Sequence, residues 1–338
     1  MIITRTPFRM SFFGGGTDMP DYFNEYGGSV LSTTFDKYCY VNVRHLPPFF
    51  DYYTEVAYSK IERVKDRNEI VHPAIRNAMK MLDMHDIRLT YEADLPARSG
   101  LGTSSSFAVG MLNAFYALKG KYAGKKQLAD DAIYLERVLC SEAGGWQDQV
   151  AASFGGLNRI DFRDNSYTVR PIIISPENKD RLDQNLLMFF TGFTRFSAEI
   201  QASSKSLGDK VRELREIHAL VDEAEALLTD RKADLDEFGR LLDYTWKLKR
   251  CTGDAVSTDH IDICYRQAIA AGALGGKLLG AGGGGFLLFY VPKDRQERVI
   301  RSLGDLLHVP FEFEEAGTTV IHYTPETYTF REESESRE

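Results

Sequence analysis

A segment rich in glycine and serine has the residue types of a phosphate-binding loop. It lies between a strand predicted at residues 87–95 and a stretch whose apolar residues have helical spacing. Glycine allows positive φ and close approach of the backbone to a ligand, and serine or threonine caps the helix that follows. The free N–H groups and the helix dipole then attract an anion. The residues concerned are Gly100, Leu101, Gly102, Thr103, Ser104, Ser105 and Ser106.

The chain has two glycine-rich segments, residues 100–106 and 280–285, and each allows other interpretations. A tight turn before a serine-capped helix would have the same composition, and residues 100–106 alone leave that interpretation open. The chain has no G-x-x-x-x-G-K-[ST], which excludes the common P-loop. The run at residues 280–285 matches G-x-G-x-x-G, but a helix precedes it and a strand follows, the reverse of the dinucleotide-binding order. Its glycines, among them Gly282, Gly283 and Gly284, still indicate close approach to a ligand or to another loop.

Two acidic residues occupy positions that suit catalysis. Glu136 lies beside the apolar stripe of a helix predicted over residues 125–140, where a carboxylate needs a partner such as a metal ion. Asp148 follows a glycine pair and precedes small residues, as in a ligand-facing loop that opens a helix. For each residue the alternative is a side chain that is simply solvated. In the case of Glu136, that solvated side chain would pair with a basic residue. A phosphate site, a metal ligand and a carboxylate together are what phosphoryl transfer requires.

The elements that must position these residues follow an α+β pattern. Strands are predicted at residues 2–13, 38–45, 54–58, 87–95, 154–163, 167–174, 185–191 and 286–291. Helices are predicted at residues 72–82, 125–140, 205–228, 235–248 and 259–271, and after residue 106. The length favours two domains, which we place at 1–170 and 171–330, and the charged tail 331–338 is predicted to be disordered.

The composition argues against several classes of protein. The chain has 338 residues and a formal net charge of −8, with 41 Lys+Arg against 49 Asp+Glu, which is unlike a nucleic-acid-binding protein. No apolar stretch reaches the roughly 20 residues of a membrane span, so a cytoplasmic protein without membrane partners is expected. The four cysteines show no CxxC pairing, and buried thiols are expected. The two long helices could form a homodimer, although internal packing explains their apolar faces equally well.

Three segments, in order along nearly the whole chain, resemble the motifs of the GHMP kinases, the family of galactokinase, homoserine, mevalonate and phosphomevalonate kinases. The first is Pro7-Phe8-Arg9 followed by Phe13-Gly14-Gly15-Gly16-Thr17-Asp18. The second, residues 96–106, is similar to the family's P-x-x-x-G-L-G-S-S loop, and the third is residues 277–285. One short glycine motif would be weak evidence, whereas three in the family's order are specific.

The resemblance implies a two-domain fold, with an N-terminal half like ribosomal protein S5 domain 2, a ferredoxin-like C-terminal half and an active site between them. It implies ATP and Mg²⁺ as cofactors. Residues 100–106 would surround the ATP phosphates, and residues 282–284 would close over nucleotide and substrate. Ser104 and Glu136 would bind the Mg²⁺ ion.

The resemblance also implies roles on the side of the acceptor, a small sugar or sugar phosphate. Asp148 would act as the base or would orient the substrate hydroxyl, with Arg9 as the neighbouring cation. Asp18 would hold sugar hydroxyls, together with Thr17 and Gly16 of the same motif.

Departures from the family's patterns bear on which sugar is used. Galactokinase-like members carry Glu-His before Thr-Asp, whereas this chain has Gly15 and Gly16, which argues against galactose. The Phe-Gly-Gly-Gly-Thr-Asp form is similar to the branch with D-glycero-D-manno-heptose 7-phosphate kinases and fucokinase domains. The resemblance therefore implies phosphorylation of an anomeric hydroxyl, with a heptose 7-phosphate preferred. The basic residues considered for a substrate phosphate are Lys37, Arg44, Arg98 and Arg195.

Three alternative functions are considered beside this interpretation. The first is fucose kinase activity, or that of another sugar kinase of the same fold. The second is a non-catalytic sensor of sugar and nucleotide, which should have lost the equivalents of Glu136 or Asp148, and both are present. The third is a relative of sugar-phosphate decarboxylases that works with ATP, which would need a substrate bearing a carboxylate.

Overall fold

The computed structural model describes residues 1–97, 99–192, 206–253, 255–280 and 282–326. The first half contains the strands β1 (Ile2–Phe13), β2 (Gly28–His45), β3 (Thr54–Ala57), β4 (Ile61–Val64), β5 (Ile87–Ala93), β6 (Asn158–Arg163) and β7 (Ser166–Pro171). Its helices are α1 (Pro20–Tyr26), α2 (Pro73–Met81), α3 (Thr103–Leu118), α4 (Lys125–Ile133) and α5 (Gln147–Phe154). A π-helical turn, Tyr134–Leu139, extends α4.

The second half alternates long helices with short strands. Its helices are α6 (Pro176–Gln184), α7 (Leu207–Thr229), α8 (Asp236–Arg250), α9 (Asp259–Ala271) and α10 (Gln296–Ser302). Its strands are β8 (Leu186–Phe190), β9 (Gly275–Leu278), β10 (Phe286–Tyr290), β11 (Leu307–His308), β12 (Phe313–Glu314) and β13 (Thr319–Tyr323). Among the described residues, no helix combines the length and the apolar character needed to cross a membrane.

The strands form two sheets. The larger sheet has the order β13-β1-β2-β5-β3-β4, with β12 and β6 also paired to β2, and β7 paired to β6. Its pairs are antiparallel except for β3 with β5. The smaller sheet has the antiparallel order β11-β8-β10-β9. Because β12 pairs with β2 and β13 pairs with β1, residues 313–323 pack with the first strands of the chain. The division into domains at residue 170 stays a prediction.

Aromatic packing fixes the end of β1 against the second half of the chain. Phe238 on α8 contacts the rings of Phe12 and Phe13 edge-on, with centroid distances of 5.4 and 5.1 Å. All three side chains are fully buried in an apolar cluster shared by both halves. Such pairs contribute about 0.5–1.5 kcal/mol each beyond the burial of their area. The turn that follows β1 therefore has a rigid support on α8.

The strand β1 contributes side chains to both halves of the molecule. Near its start, Thr4 Oγ1 donates a hydrogen bond to the Gly110 carbonyl of α3 at 2.9 Å. The register with β2 shifts between Pro7 and Phe8, and Phe8 packs in the core shared with the second half. The next residue, Arg9, pairs with Asp148 of α5.

The predicted α+β class is confirmed, and several elements agree with their predicted ranges. The predicted strand at residues 2–13 and the predicted helix at 259–271 coincide with β1 and α9. The turn residues Asp164 and Asn165 have positive φ, 51° and 52°. By contrast, β2 begins at Gly28 rather than at Tyr38. Residues 28–32 pair with β6, residues 31–35 pair with β1, and all of residues 28–35 are buried, which removes the period-two pattern. The tail at 331–338, predicted to be disordered, lies outside the described residues.

The prediction that all four cysteines are buried holds for only two of them. Cys39 and Cys264 are buried, whereas Cys140 is half-buried and Cys251 is exposed. Cys251 follows the last residue of α8, where the helix end faces solvent. The prediction failed because the apolar character of cysteine carries no information about position along an element.

Candidate active site

The loop before α3 has the backbone geometry of an anion-binding site. Gly102 is the N-cap of α3 and has φ 72° and ψ 24°, in the left-handed region that favours glycine. The first turn of α3 has amides without partners inside the helix, at the positive end of its dipole. A Cβ atom added at Gly102 would lie 3.2 Å from Arg9 Cγ and 3.4 Å from Asp148 Oδ2. Three segments that are distant in sequence therefore meet at Gly102.

Glu136 is buried beside the first turn of α3, with 2% of its surface exposed. Its Oε1 accepts a hydrogen bond from Ser104 Oγ at 2.9 Å, and its Oε2 accepts one from Ser105 Oγ at 2.7 Å. The Gln149 Nε2 of α5 also donates to Oε2. Glu136 lies on the π-helical turn, so the α-helix predicted over residues 125–140 is wrong in its last part. Such turns are frequent at functional sites, and apolar spacing does not reveal them.

Asp148 and Arg9 form a bidentate pair. Arg9 Nε donates to Asp148 Oδ1 at 2.7 Å, and a terminal nitrogen of Arg9 donates to Oδ2 at 2.9 Å. The other terminal nitrogen donates to the Gly100 carbonyl at 2.8 Å. The Arg9 side chain is 5% exposed and that of Asp148 is 24% exposed. Asp148 can therefore be reached by a ligand, while Arg9 holds its carboxylate against the phosphate loop.

Asp18 is buried between the turn after β1 and the start of α5. Its Oδ1 accepts a hydrogen bond from Gly16 N at 2.9 Å, and its Oδ2 accepts one from Gln147 N at 3.3 Å. Burial, followed by repulsion from Asp148, raises the pKa of Asp18 above its ordinary value. Asp18 thus joins the acceptor-side turn to the helix that carries Asp148. Its predicted contact with sugar hydroxyls stays a prediction.

Thr17 has a different place from the one predicted. Its side chain is fully buried, and its hydroxyl donates to the carbonyls of Gly14 and Ser29 at 2.8 and 2.9 Å. A hydroxyl that binds two backbone carbonyls inside the fold is not accessible to a sugar. The predicted direct contact of Thr17 is not supported, and the residue instead fixes the turn.

The three glycine positions of this turn differ in what a side chain would contact there. Gly14 has φ 83°, and an added Cβ would lie 1.9 Å from the Ser29 carbonyl oxygen, so the fold itself requires glycine. A Cβ added at Gly16 would lie 3.0 Å from Leu214 on α7. At Gly15 the nearest atom would be Ser11 Oγ at 3.8 Å, an ordinary contact, and φ is not positive. Gly15 is half-buried and could carry a Cβ without strain, so neither backbone conformation nor a clash at Cβ requires glycine there, and the position beside Ser11 is a candidate border of the acceptor site.

The second glycine run closes against the phosphate loop. A Cβ added at Gly280 would lie 2.4 Å from Gly100 Cα, and one added at Gly285 would lie 2.3 Å from the Ser99 carbonyl oxygen. Farther along the run, Gly283 N donates to the Val256 carbonyl at 3.1 Å. These glycines allow two stretches of backbone to touch, as expected for a run that approaches another loop. The predicted closure of Gly282, Gly283 and Gly284 over a nucleotide stays a prediction.

Two lysines of the second half also reach the site, and we did not predict either. Lys277 on β9 is 2% exposed and donates from Nζ to the Phe12 carbonyl at 2.8 Å. Burial, followed by the nearby charges of Lys249 and Arg9, lowers the pKa of Lys277 well below its ordinary value. Lys249 on α8 donates from Nζ to the Gly280 carbonyl. Lys277 is the first residue of the third motif, so the sequence could have placed it at the site. Lys249 belongs to no motif, and nothing in the sequence indicates its position.

Four basic residues were considered for binding a substrate phosphate, and the two that the structure describes do not lie at this site. Lys37 Nζ contacts Asp36 Oδ1 at 2.8 Å. Arg44 lies opposite Arg88, at the end of β2 where that strand pairs with the start of β1, whereas the site is at the other end of β1. Arg98 and Arg195 lie outside the described residues.

The assembled groups define a class of enzyme. An anion-binding helix start, a buried carboxylate beside serine hydroxyls and an oriented aspartate are the parts needed for phosphoryl transfer to a hydroxyl. They lie where the two halves of the chain meet, with loops from each half in contact. The fold and the site are those of a two-domain kinase for small molecules.

Comparison with known proteins identifies the family. The model named GHMP kinases N terminal domain matches residues 68–156, and the model named GHMP kinases C terminal matches residues 224–308. The chain belongs to the GHMP kinases, as the resemblance implied, and it is an ATP-dependent sugar kinase with that family's two-domain fold.

Several relatives are heptose or fucose kinases. A D-glycero-alpha-D-manno-heptose 7-phosphate kinase of Campylobacter jejuni is 32% identical over 319 residues, which is 89% of this chain and 93% of that protein. An L-fucokinase/L-fucose-1-P guanylyltransferase of Bacteroides fragilis is 28% identical over 87% of this chain and 35% of its own length. The crystal structure of a D-glycero-D-manno-heptose 1-phosphate kinase from Bacteroides thetaiotaomicron has a TM-score of 0.77 and 25% identity, covering 95% and 99% of the two chains.

The residues around Glu136 fit a Mg²⁺ ion. The carboxylate is buried, forms no ion pair among the described residues, and lies beside the hydroxyl of the exposed Ser104. Mg²⁺ is usually bound by one or two carboxylates together with substrate phosphates and water. In the described part of the chain no three acidic, histidine or cysteine residues form a metal-binding group. The remaining ligands would therefore come from the nucleotide and from water.

Proposed function

We propose that this kinase transfers the γ-phosphate of ATP to the anomeric hydroxyl of D-glycero-D-manno-heptose 7-phosphate and releases the 1,7-bisphosphate. The relative of C. jejuni that bears this substrate in its name matches nearly the whole chain. The structural observation that supports a large sugar is Gly15, which has no side chain on the acceptor side although its backbone conformation would allow one.

In this proposal Asp148 faces the acceptor hydroxyl. The bidentate contact with Arg9 fixes the direction of its carboxylate, and the contact of Arg9 with Gly100 fixes its distance from the phosphate loop. An anomeric hydroxyl is more acidic than an ordinary alcohol, so a carboxylate suffices to accept its proton as the new O–P bond forms. Positioning of the two reactants would supply a further part of the rate enhancement.

The nucleotide would lie on the other side of Asp148. The amides at the start of α3 would bind its phosphates, and Ser104 and Glu136 would hold Mg²⁺. The ion, when bound, would neutralise charge on the phosphate oxygens. Ser105 and Gln149 would keep the Glu136 carboxylate in place, since both donate hydrogen bonds to its Oε2.

L-Fucose is the second candidate acceptor. The fucokinase of B. fragilis matches most of this chain at 28% identity. Fucose has no phosphate, so an enzyme for fucose needs no cationic contact on the acceptor side. The structurally similar protein from B. thetaiotaomicron is named for a heptose 1-phosphate, in which the anomeric position is already occupied. The site of phosphorylation therefore needs a direct assay.

Purified enzyme should be assayed with Mg²⁺-ATP and four acceptors in parallel, namely heptose 7-phosphate, heptose 1-phosphate, fucose and galactose. We expect the highest kcat/KM with heptose 7-phosphate, and a product whose new phosphorus signal couples to the anomeric proton in NMR spectra. Preference for fucose would replace the proposed substrate with the second candidate. A new phosphate on any other carbon would rule out anomeric transfer.

A further inference from the structure

Lys249 brings a positive charge from the second half of the chain into the kinase site. It lies in the last turn of α8, and its Nζ donates to the carbonyl of Gly280. Gly280 is in backbone contact with Gly100 of the phosphate loop. The ammonium group is therefore held at the point where the two glycine-rich segments meet. An ammonium group has three N–H donors, and this contact uses one of them.

The other cations of the site are already committed to contacts within the protein. Arg9 is held by both carboxylate oxygens of Asp148 and by the Gly100 carbonyl. Lys277 is buried and bound to the Phe12 carbonyl. Lys249 also donates to a single backbone carbonyl, but it differs from Lys277 in being half-buried rather than enclosed, and it differs from Arg9 in forming no ion pair among the described residues.

We propose that Lys249 is a catalytic residue that binds the transferring phosphoryl group of ATP. The reacting phosphoryl group passes through a transition state with charge on its equatorial oxygens, and a cation held close to it stabilises that charge. The position of Lys249 at the contact between Gly280 and the phosphate loop gives it access to this group. The inference rests on the proposed phosphoryl transfer, and it is independent of which sugar accepts the phosphate.

The surroundings of Lys249 have opposing effects on its pKa. Burial, followed by the charge of Arg9, lowers its pKa to about 8, while Asp18 and Asp148 act in the opposite direction. Its position at the C-terminal end of α8 also favours the charged form. The charged groups that face it from other elements are Arg9 on β1, Asp18 in the following turn, Asp148 on α5 and Lys277 on β9. The ammonium form predominates at pH 7 and is lost as the pH rises through about 8.

The test compares two lysines of the same helix. Lys249→Met removes the charge and keeps the length, and Lys247→Met is the control, since Lys247 is exposed and pairs with Asp243 at 2.6 Å. We expect kcat to fall about 100-fold in Lys249→Met and to be unchanged in Lys247→Met. With Mg²⁺ present, Lys249→Met should also weaken binding of the non-hydrolysable ATP analogue AMP-PNP without weakening binding of ADP.

The pH dependence of kcat distinguishes a catalytic role of Lys249 from a purely structural one. In the wild type, kcat should fall above about pH 8 as Lys249 loses its proton. Lys249→Arg should keep part of the activity and lose this alkaline limb, because arginine stays protonated. Equal kinetics and equal AMP-PNP binding in the two methionine variants would overturn the proposal. If the wild type phosphorylates none of the four sugars, the proposed substrate fails, whereas the comparison of AMP-PNP with ADP still decides the role of Lys249.

Discussion

The nucleotide side and the acceptor side of the site differ in how their buried polar groups are satisfied. On the nucleotide side, Ser105 binds Glu136, and Ser106 Oγ donates to the Pro7 carbonyl at 2.9 Å. On the acceptor side, the hydroxyls of Ser11 and Tyr22 are buried and have no hydrogen-bond partner among the described residues. Ser99 Oγ, just before the phosphate loop, and Gln149 Oε1, beside Glu136, are exceptions on the nucleotide side.

This difference indicates which side is complete before ligands bind. Buried polar groups normally have partners, so a buried hydroxyl without one either destabilises the fold or meets a ligand. The serine hydroxyls in the first turn of α3 are held by contacts within the protein, as a site for a constant ligand can be. The hydroxyls beside the acceptor turn have no such contacts, and we infer that sugar specificity resides there.

Asp148 lies on the boundary between the two sides, and changing it should have the largest effect. Asp148→Asn keeps the shape of the side chain and removes its ability to accept a proton, so kcat should fall by about 10²–10⁴-fold. The affinity for AMP-PNP should stay within twofold, roughly, because the phosphate loop is unchanged. Steady-state kinetics and calorimetric titration give the two values, with the exposed Asp294→Asn as control. Full turnover would remove Asp148 from its role, and a loss of nucleotide affinity would assign it to the nucleotide side.

Glu136→Gln tests the nucleotide side alone. The substitution removes a negative charge that nothing basic neutralises in the described structure, so the Mg²⁺ concentration for half-maximal rate should rise about 10–100-fold. The KM for the sugar should be unchanged. Titration of activity with Mg²⁺ at fixed ATP measures this, and the exposed Glu297→Gln is the control. An unaltered Mg²⁺ requirement would leave Glu136 with a purely structural role.

The same two sides differ in how far the sequence predicts them. The phosphate loop, Glu136, Asp148 and Arg9 were predicted from short motifs, and the structure brings them together. Local motifs suffice here because glycines and helix-capping residues act on their own neighbours in the chain. The π-helical turn under Glu136 was missed, because it changes the backbone without changing the apolar spacing.

The acceptor side was predicted less well because its contacts come from residues far apart in the chain. Thr17 belongs to the predicted motif, yet its hydroxyl binds backbone inside the fold. Lys249, which we assign to the phosphoryl group rather than to the acceptor, was missed for the same reason, because it belongs to no motif and α8 brings it to the site by packing against the end of β1. The contact of Leu214 with Gly16 likewise depends on the placement of α7. Such placements follow from tertiary packing, which the residue spacing does not contain.

Substitutions in the glycine turn should separate the requirements of the fold from those of the substrate. Gly15→Gln adds a side chain whose Cβ meets no clash and needs no positive φ, so the KM for the acceptor should rise about tenfold while stability and the KM for ATP stay unchanged. Gly14→Ala should instead destabilise the fold by several kcal/mol, about 3 or more, because its Cβ would overlap the Ser29 carbonyl. Thermal unfolding and steady-state kinetics distinguish the two. An unchanged acceptor KM in Gly15→Gln would place the substrate elsewhere.

The smallest effects should come from two buried serines, which compare the sides most directly. Ser105→Ala removes a 2.7 Å hydrogen bond to the Glu136 carboxylate and should lower the free energy of unfolding by about 1.5–3 kcal/mol. Ser11→Ala removes a hydroxyl that has no described partner, so stability should be unchanged or slightly higher, while the acceptor KM rises about fivefold through loss of one hydrogen bond worth about 1 kcal/mol. Denaturant unfolding without ligands, together with acceptor kinetics, measures both variants. Equal destabilisation of the two variants would mean that the Ser11 hydroxyl has a partner within the protein, as Ser105 does. The two sides of the site would then not differ in how these serine hydroxyls are satisfied.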